Sequence, residues 1–256
     1  MASLNVCLVE LASTTEPAEN RRALDVLGDV SSPGDLVVFP EAFMCDFGPP
    51  GTDVSGLAET VDGPFVTRLV ELAGEFDVTV LAGMFEVSVD PVRPYNSLVL
   101  VDERGVLAVY RKIHLYDSFG YRESDRLLPG EPAPVVADLG GFRLGLMTCY
   151  DLRFPELARA LVDGGADVLA VPSAWVAGPR KFDHWRTLLA ARAIENTAYV
   201  VAAAQPAPRY TGHSMAISPS GEVLAESSGE HLRVELTSSE VEQARRTNPS
   251  LANRRL

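Results

Sequence analysis

Short apolar runs alternate with longer amphipathic stretches along almost the whole chain, and this alternation limits the fold more than any other feature. A short apolar run packs as a strand, whereas apolar residues spaced three and four apart line one face of a helix. Strands are expected at 4–12 (LNVCLVELA), 35–41 (DLVVFPE), 78–86, 95–103, 106–113, 142–151, 167–175 and 198–205. Helical spacing covers 16–30, 64–77, 152–166 and 181–197. Pro64 suits the first position of its helix. Arg104-Gly105 joins two strands as a tight turn. Shorter segments around HSMAIS, EVLAES and LRVEL follow position 205.

Two stretches match in type. DLVVFPEA at 35–42 and DVLAVPSA at 167–174 lie 132 residues apart, and a strand and a helix precede each. That offset is close to half the chain, which implies two similar αβ halves within one domain spanning 1–256. Strands with helices between them indicate an α/β layered fold, and the hairpins make the sheets mixed.

Composition narrows the function. The 35 acidic residues against 22 Lys and Arg leave a net charge of −13, and no basic stripe interrupts it. Such a chain is poorly suited to nucleic acid or to an anionic membrane. No apolar stretch is long enough to span a bilayer, and MASLNVCLVELA, lacking a basic leader, reads as a first strand and not a signal peptide. Cys7, Cys45 and Cys149 are odd in number and far apart. This argues against a disulfide framework or a zinc pair and favours a reducing, cytoplasmic setting. His114, His184, His213 and His231 have no metal-ligand spacing, so neither a metal nor an organic cofactor is expected.

Three strands run into a reactive side chain: DLVVFP into Glu41, VLAVYR into Lys112 and FRLGLMT into Cys149. Strand ends in α/β folds are rigid and accessible, and ligands collect there. A thiol is mostly protonated at neutral pH, so it needs a base, and Glu41 is the candidate. A lysine cation stabilises first the thiolate and then an oxyanion, and the Tyr150 N–H at the strand-to-helix junction offers a second donor. Taken singly, a lone cysteine is more often a small buried hydrophobe, and a strand-end charge is more often merely solvated. LGGFRLG at 139–145 precedes a strand, so it is no dinucleotide loop.

VVFPEAF, YRKIHLYDSFGYRESDRLLPG and GLMTCYDLRFPELARAL resemble the three signature segments of the nitrilase superfamily, the carbon–nitrogen hydrolases. YNSLVLVD, LAVPSAW, LLAARAIENTAYVVAAAQ and GHSMAISPSGEVLAES agree, so the resemblance spans nearly the whole chain. It implies a four-layer α-β-β-α sandwich whose members commonly pair, hence a homodimer or larger homo-oligomer. It assigns the general base to Glu41, the intermediate-stabilising lysine to Lys112 and the nucleophile to Cys149. Glu123, in YRESD, matches a further glutamate that positions substrate. Cys45, four residues after Glu41, is not the family's nucleophile.

The YRESD and CYDLRFPEL forms look most like the amidase branch that cleaves ω-amides of 2-oxo acids or deaminated glutathione. In that branch the positions of Arg153 and Trp175 approach the substrate. Arg153 would suit a carboxylate as a fork-shaped donor, or else pair locally. Phe119 and Tyr121 are candidates for an apolar wall. After Trp175 the chain departs from the branch: VAGPRKFDHW replaces a Thr-Gly-bearing segment and carries Pro179, Arg180 and Lys181. The expected partner is thus a small carboxylate-bearing amide. Amidases of aliphatic or amino-acid amides, or a non-catalytic binding module on a hydrolase scaffold, are the alternatives.

Overall fold

The computed structural model describes residues 1–227 and 229–255. Its first part runs β1 (Ser3–Leu8), α1 (Pro17–Ala23), α2 (Leu27–Val30), β2 (Leu36–Val38), α3 (Pro64–Phe76), β3 (Thr79–Glu86), β4 (Tyr95–Asp102) and β5 (Gly105–Arg111). A small hairpin of β6 (Asp117–Ser118) and β7 (Tyr121–Arg122) follows. The second part runs β8 (Val136–Leu139), β9 (Phe142–Leu146), α4 (Pro155–Asp163), β10 (Val168–Ala170) and α5 (Lys181–Asn196). It closes with β11 (Tyr199–Ala202), β12 (Ser214–Ile217), β13 (Val223–Ser227), β14 (Leu232–Thr237) and α6 (Ser238–Thr247).

The strands form two six-stranded sheets, ordered β14-β1-β2-β3-β4-β5 and β13-β12-β11-β10-β9-β8. In the first, β1, β2 and β3 are parallel, β4 and β5 return antiparallel, and β14 lies antiparallel outside β1. The second repeats this plan with β9, β10 and β11 parallel, β12 and β13 antiparallel, and β8 antiparallel outside β9. Leu36–Val38 and Val168–Ala170 occupy equivalent central places, at the spacing the sequence repeat implies.

Alternation along the strands sets the layers, because successive side chains point to opposite faces. Leu4, Val6 and Leu8, with Leu36, Val38, Leu98 and Leu100, share a core with Leu144, Leu146, Val200 and Ala202 of the other sheet. The intervening Cys7, Val37, Val80, Ala82, Val99 and Val101 pack instead against Leu24, Leu27, Leu69, Leu72 and Ala73 of the helical layer. Leu157 and Leu161 of α4 and Leu189 and Ala193 of α5 cover the second sheet. Helix, sheet, sheet, helix is the expected four-layer order.

Several boundaries differ from the sequence reading. The helix expected over 16–30 breaks into α1, a 3-10 turn at Leu24–Val26, and α2. Asp25, Val26, Gly28 and Asp29 are weak helix formers, and a Cβ at Gly28 would come within 3.0 Å of the Phe76 ring. The strand expected over 142–151 stops at Leu146, because Cys149–Arg153 winds into a 3-10 turn before α4. The Gly140-Gly141 pair, at φ +57° and +87°, makes the tight turn between β8 and β9. Helix α6 lacks a continuous apolar face and buries only Val241.

One close approach bears on the site. A Cβ on Gly83 of β3 would meet the Ala42 backbone nitrogen and lie 2.9 Å from the Glu41 Cα. Gly83→Ala must therefore push the Glu41 segment away, at a cost of about 1–3 kcal/mol. Urea unfolding should show this loss, with a drop in turnover beyond that of an equally destabilised control such as Leu69→Ala. Unchanged unfolding would contradict the contact.

Candidate active site

The site forms where chain segments leaving the two central strands meet. After β2 the chain presents Glu41, and Ala42 follows in the left-handed region at φ +54°. After β10 the equivalent segment grips two partners. The Pro172 carbonyl accepts the Cys149 N–H at 3.0 Å. The Ala174 N–H donates to Glu41 Oε2 at 2.7 Å. One strand exit thereby fixes both the thiol's backbone and the carboxylate.

Lys112 follows β5 and is 2% exposed. Alternation turns Arg111 outward to Glu86, while Tyr110 and Lys112 point inward. The Lys112 Nζ donates to Glu41 Oε1 at 2.9 Å and to Glu123 Oε2 at 2.9 Å. Glu123 opens the short 3-10 turn after β7 and is as buried as Lys112. Asn96 of β4 donates from Nδ2 to Glu41 Oε1 at 2.8 Å and reaches Glu123 Oε1 at 3.4 Å. The sequence reading missed Asn96, since nothing in YNSLVLVD marks a polar residue on a strand as inward-facing until its register is known.

Cys149 stands at φ +48°, a strained conformation for a side chain with a Cβ. It lines a cavity of about 380 Å³ together with Glu41, Lys112 and Glu123. The sulfur is therefore not sealed in hydrocarbon. The Tyr150 N–H meets no acceptor among the described residues. Burial pushes the Cys149 thiol well above its usual range, the Glu41 carboxylate acts in the same direction, and Lys112 opposes them. For Lys112, burial works against the ammonium, but Glu123 and Glu41 outweigh it and hold its pKa well above the ordinary value. Burial also raises Glu123, against the pull of Lys112.

The turn bearing Cys149 is tied to the Lys112 strand by Asp151, which is fully buried. Its carboxylate accepts from Tyr110 Oη at 2.6 Å, from the Thr148 N–H at 2.9 Å and from the His114 N–H at 3.1 Å. His114 Nδ1 lies 2.7 Å from the same carboxylate, and its ring stacks on Phe154. His114 thus acts as a hydrogen-bonding group that helps hold Asp151 in place.

Arg153, Trp175, Tyr150, Phe119 and Tyr121 all line the cavity, so the candidate substrate-facing and wall positions lie together with Glu41, Lys112, Glu123 and Cys149. Arg153 lies over the Trp175 ring at 4.9 Å and approaches His184 Nδ1 at 3.4 Å. The Trp175 indole donates to the Lys181 carbonyl at 2.9 Å. Tyr116, Lys181, Arg209 and Tyr210 also line it and were not anticipated there. Cys45 is fully buried outside the cavity lining, and burial raises its thiol to about 11. Among the described residues, no group of three or more His, Cys, Asp or Glu side chains could hold a metal ion.

The fold and this cluster define a carbon–nitrogen hydrolase. The family model for carbon-nitrogen hydrolases matches residues 23–246, and the chain belongs to that family. A hydrolase of Mycobacterium tuberculosis is 40% identical over 241 residues, covering 86% of this chain and 84% of its own. A deaminated glutathione amidase of Synechocystis is 38% identical over 267 residues, covering 96% of each. A CN-hydrolase superfamily protein of Xanthomonas campestris, solved with an arsenic adduct in its active site, superposes with a TM-score of 0.90 at 25% identity, over 100% of this chain and 98% of its own. A mutant amidase of Nesterenkonia, bearing the acetamide moiety of fluoroacetamide on its active-site cysteine, superposes with a TM-score of 0.81 at 26% identity, over 98% and 97%.

Two outcomes follow from this geometry. Burial and the Glu41 carboxylate hold the Cys149 thiol above its usual range, so the ultraviolet difference between the native chain and Cys149→Ala should show no thiolate band at neutral pH; a full band would contradict it. Asp151→Asn exchanges a fully accepting carboxylate for an amide and should cost about 1–3 kcal/mol in denaturant unfolding. An unshifted midpoint would mean that the four contacts do not bind the two segments together.

Proposed function

We propose that the chain is a thiol-dependent amidase in which Cys149 is the nucleophile, Glu41 the general base and acid, and Lys112 the oxyanion donor. The observation that carries this reading is the bridge of the Lys112 ammonium between two buried carboxylates beside a thiol at the floor of a cavity. The amidases among the relatives and structural neighbours support it.

Glu41 takes the Cys149 proton as the sulfur attacks the amide carbonyl and the S–C bond forms. The raised pKa of the thiol couples the two events, because burial and the nearby Glu41 carboxylate make a free thiolate costly. An ammonium has three donors, and Glu41 and Glu123 engage two of them. The third Lys112 proton and the Tyr150 N–H then face the oxyanion. As the tetrahedral intermediate collapses, the C–N bond breaks and Glu41 returns its proton to the leaving nitrogen. Water then gives a proton to Glu41 and attacks the thioester. The C–S bond breaks, the sulfur recovers its proton, and a carboxylic acid leaves. Glu123 and Asn96 hold Lys112 and Glu41 in register throughout.

The favoured substrate is a small amide carrying a carboxylate. Arg153 makes no ion pair among the described residues, and its guanidinium offers a planar fork. An amino-acid amide would bring its ammonium towards this cation and be repelled. The three cysteines are free and buried, which fits a cytoplasmic chain, and pairing into a homodimer accords with the resemblance.

Ammonia release from a panel of ω-amides, amino-acid amides and nitriles tests the reading. Cys149→Ala should abolish turnover, and Glu41→Gln should lower kcat by about 10²–10⁴. Turnover surviving in Cys149→Ala would overturn the assignment, and turnover of amino-acid amides alone would overturn the carboxylate preference.

A further inference from the structure

We propose that Lys181 is a specificity-determining residue: with Arg153 it forms a two-cation clamp that holds the anionic far end of the amide substrate. This rests on the amidase reading above and names the partner of Arg153.

Four cations line the cavity, and two of them are already neutralised. Lys112 bridges Glu41 and Glu123, and Arg209 pairs with Asp46. Lys181 and Arg153 form no ion pair among the described residues, although Lys181 is only 8% exposed. Their neighbour Arg180, by contrast, pairs with Asp183. A nearly buried ammonium without a carboxylate is expensive unless something else meets it. Its protein partners are the Tyr116 hydroxyl at 2.9 Å and the faces of Phe119 at 4.1 Å and Tyr116 at 4.9 Å. One of its three donors is used, and two remain.

Position adds to the cost. Lys181 is the first residue of the 16-residue helix α5. The helix dipole places positive partial charge there and favours anions, so a lysine is disfavoured by itself. Burial, followed by the repulsion of Arg153, holds the Lys181 ammonium below its usual range. Phe119 lies 5.7 Å from the Arg153 guanidinium as well, so one ring caps both cations. A carboxylate entering between them gains the Arg153 fork, the Lys181 point charge and the helix terminus together, while the aromatic walls exclude water. The segment that delivers Lys181 is the one that departs from the sequence pattern of the amidase branch, so the resemblance itself assigns Lys181 no role.

Succinamate and butyramide have the same length and differ in the terminal carboxylate. In the full-length protein, Lys181→Met should raise the KM for succinamate about ten- to a hundredfold, the size of a lost hydrogen bond to a charged group. Its effect on the KM for butyramide should be several-fold smaller than on that for succinamate, and Lys181→Arg should restore the KM for succinamate. Succinate binding, measured by calorimetry and needing no turnover, should weaken by the same factor in Lys181→Met. Equal effects on both amides would make Lys181 a wall prop acting through Tyr116, and would overturn the clamp. So would failure of the native chain to bind succinate, or a Lys181→Met variant that binds it normally. A native chain that binds succinate in a Lys181-dependent way yet releases ammonia from neither amide would refute the amidase reading and leave the anion clamp standing.

Discussion

Everything reactive in this molecule is organised around one buried ammonium. Lys112 lies between Glu41 and Glu123, each almost without solvent contact. None of the three charges would be tolerable there alone, and removing one partner of a buried pair typically costs about 3–5 kcal/mol. The cluster is therefore locked as a unit, with Asn96 spanning both carboxylates. Two carboxylates against one ammonium leave an excess of negative charge beside the sulfur. Burial, with the Glu41 carboxylate acting in the same direction, holds the Cys149 thiol well above its usual range against the pull of Lys112.

The internal repeat explains how such a cluster can be built from remote segments. The two equivalent central strands each leave the sheet through a proline-bearing exit. One exit carries Glu41; the other carries no reactive group but holds Glu41 through the Ala174 N–H and Cys149 through the Pro172 carbonyl. Glu41 and Lys112 come from the first half and Cys149 from the second, so both halves supply the cluster. Asp151 adds the third tie, joining the Cys149 turn to the residues on either side of Lys112. The spent Cys149 N–H, and the Tyr150 N–H that meets no acceptor among the described residues, are consequences of the same turn.

The groups that announce themselves by type at a strand end were legible from the sequence. Glu41, Lys112 and Cys149 each follow an apolar run, and the matched octapeptides predicted the duplicated sheet plan. Asn96 and Asp151 were not legible, because their importance lies in the partners they face. A polar residue inside a strand or a turn gives no sign of which buried donor it satisfies. Boundaries failed where tertiary contact overrode local pattern. Gly28 yields to Phe76, and the strand carrying Cys149 gives way to a turn once the Pro172 carbonyl claims its N–H. Lys181 was visible as an unusual residue in an unusual segment, but only the folded helix start places it in the cavity.

The charge distribution reverses between the molecule and its cavity. A chain of net charge −13 repels anions at long range, yet the cavity beside the Lys112 cluster presents Arg153 and Lys181, neither paired with a carboxylate among the described residues. Solvent screening confines the unfavourable bulk field to within roughly 10 Å of the surface, whereas the low dielectric of an aromatic-lined cavity strengthens the local attraction. On the proposed reading, an anionic substrate is held by contact with the cavity walls and not by the long-range field. Phe119, exposed at the tip of the β6–β7 hairpin and held at φ +55°, stands against both cations, and the same hairpin leads directly into Glu123. One short structural element therefore joins the wall beside the two cations to the carboxylate that holds Lys112.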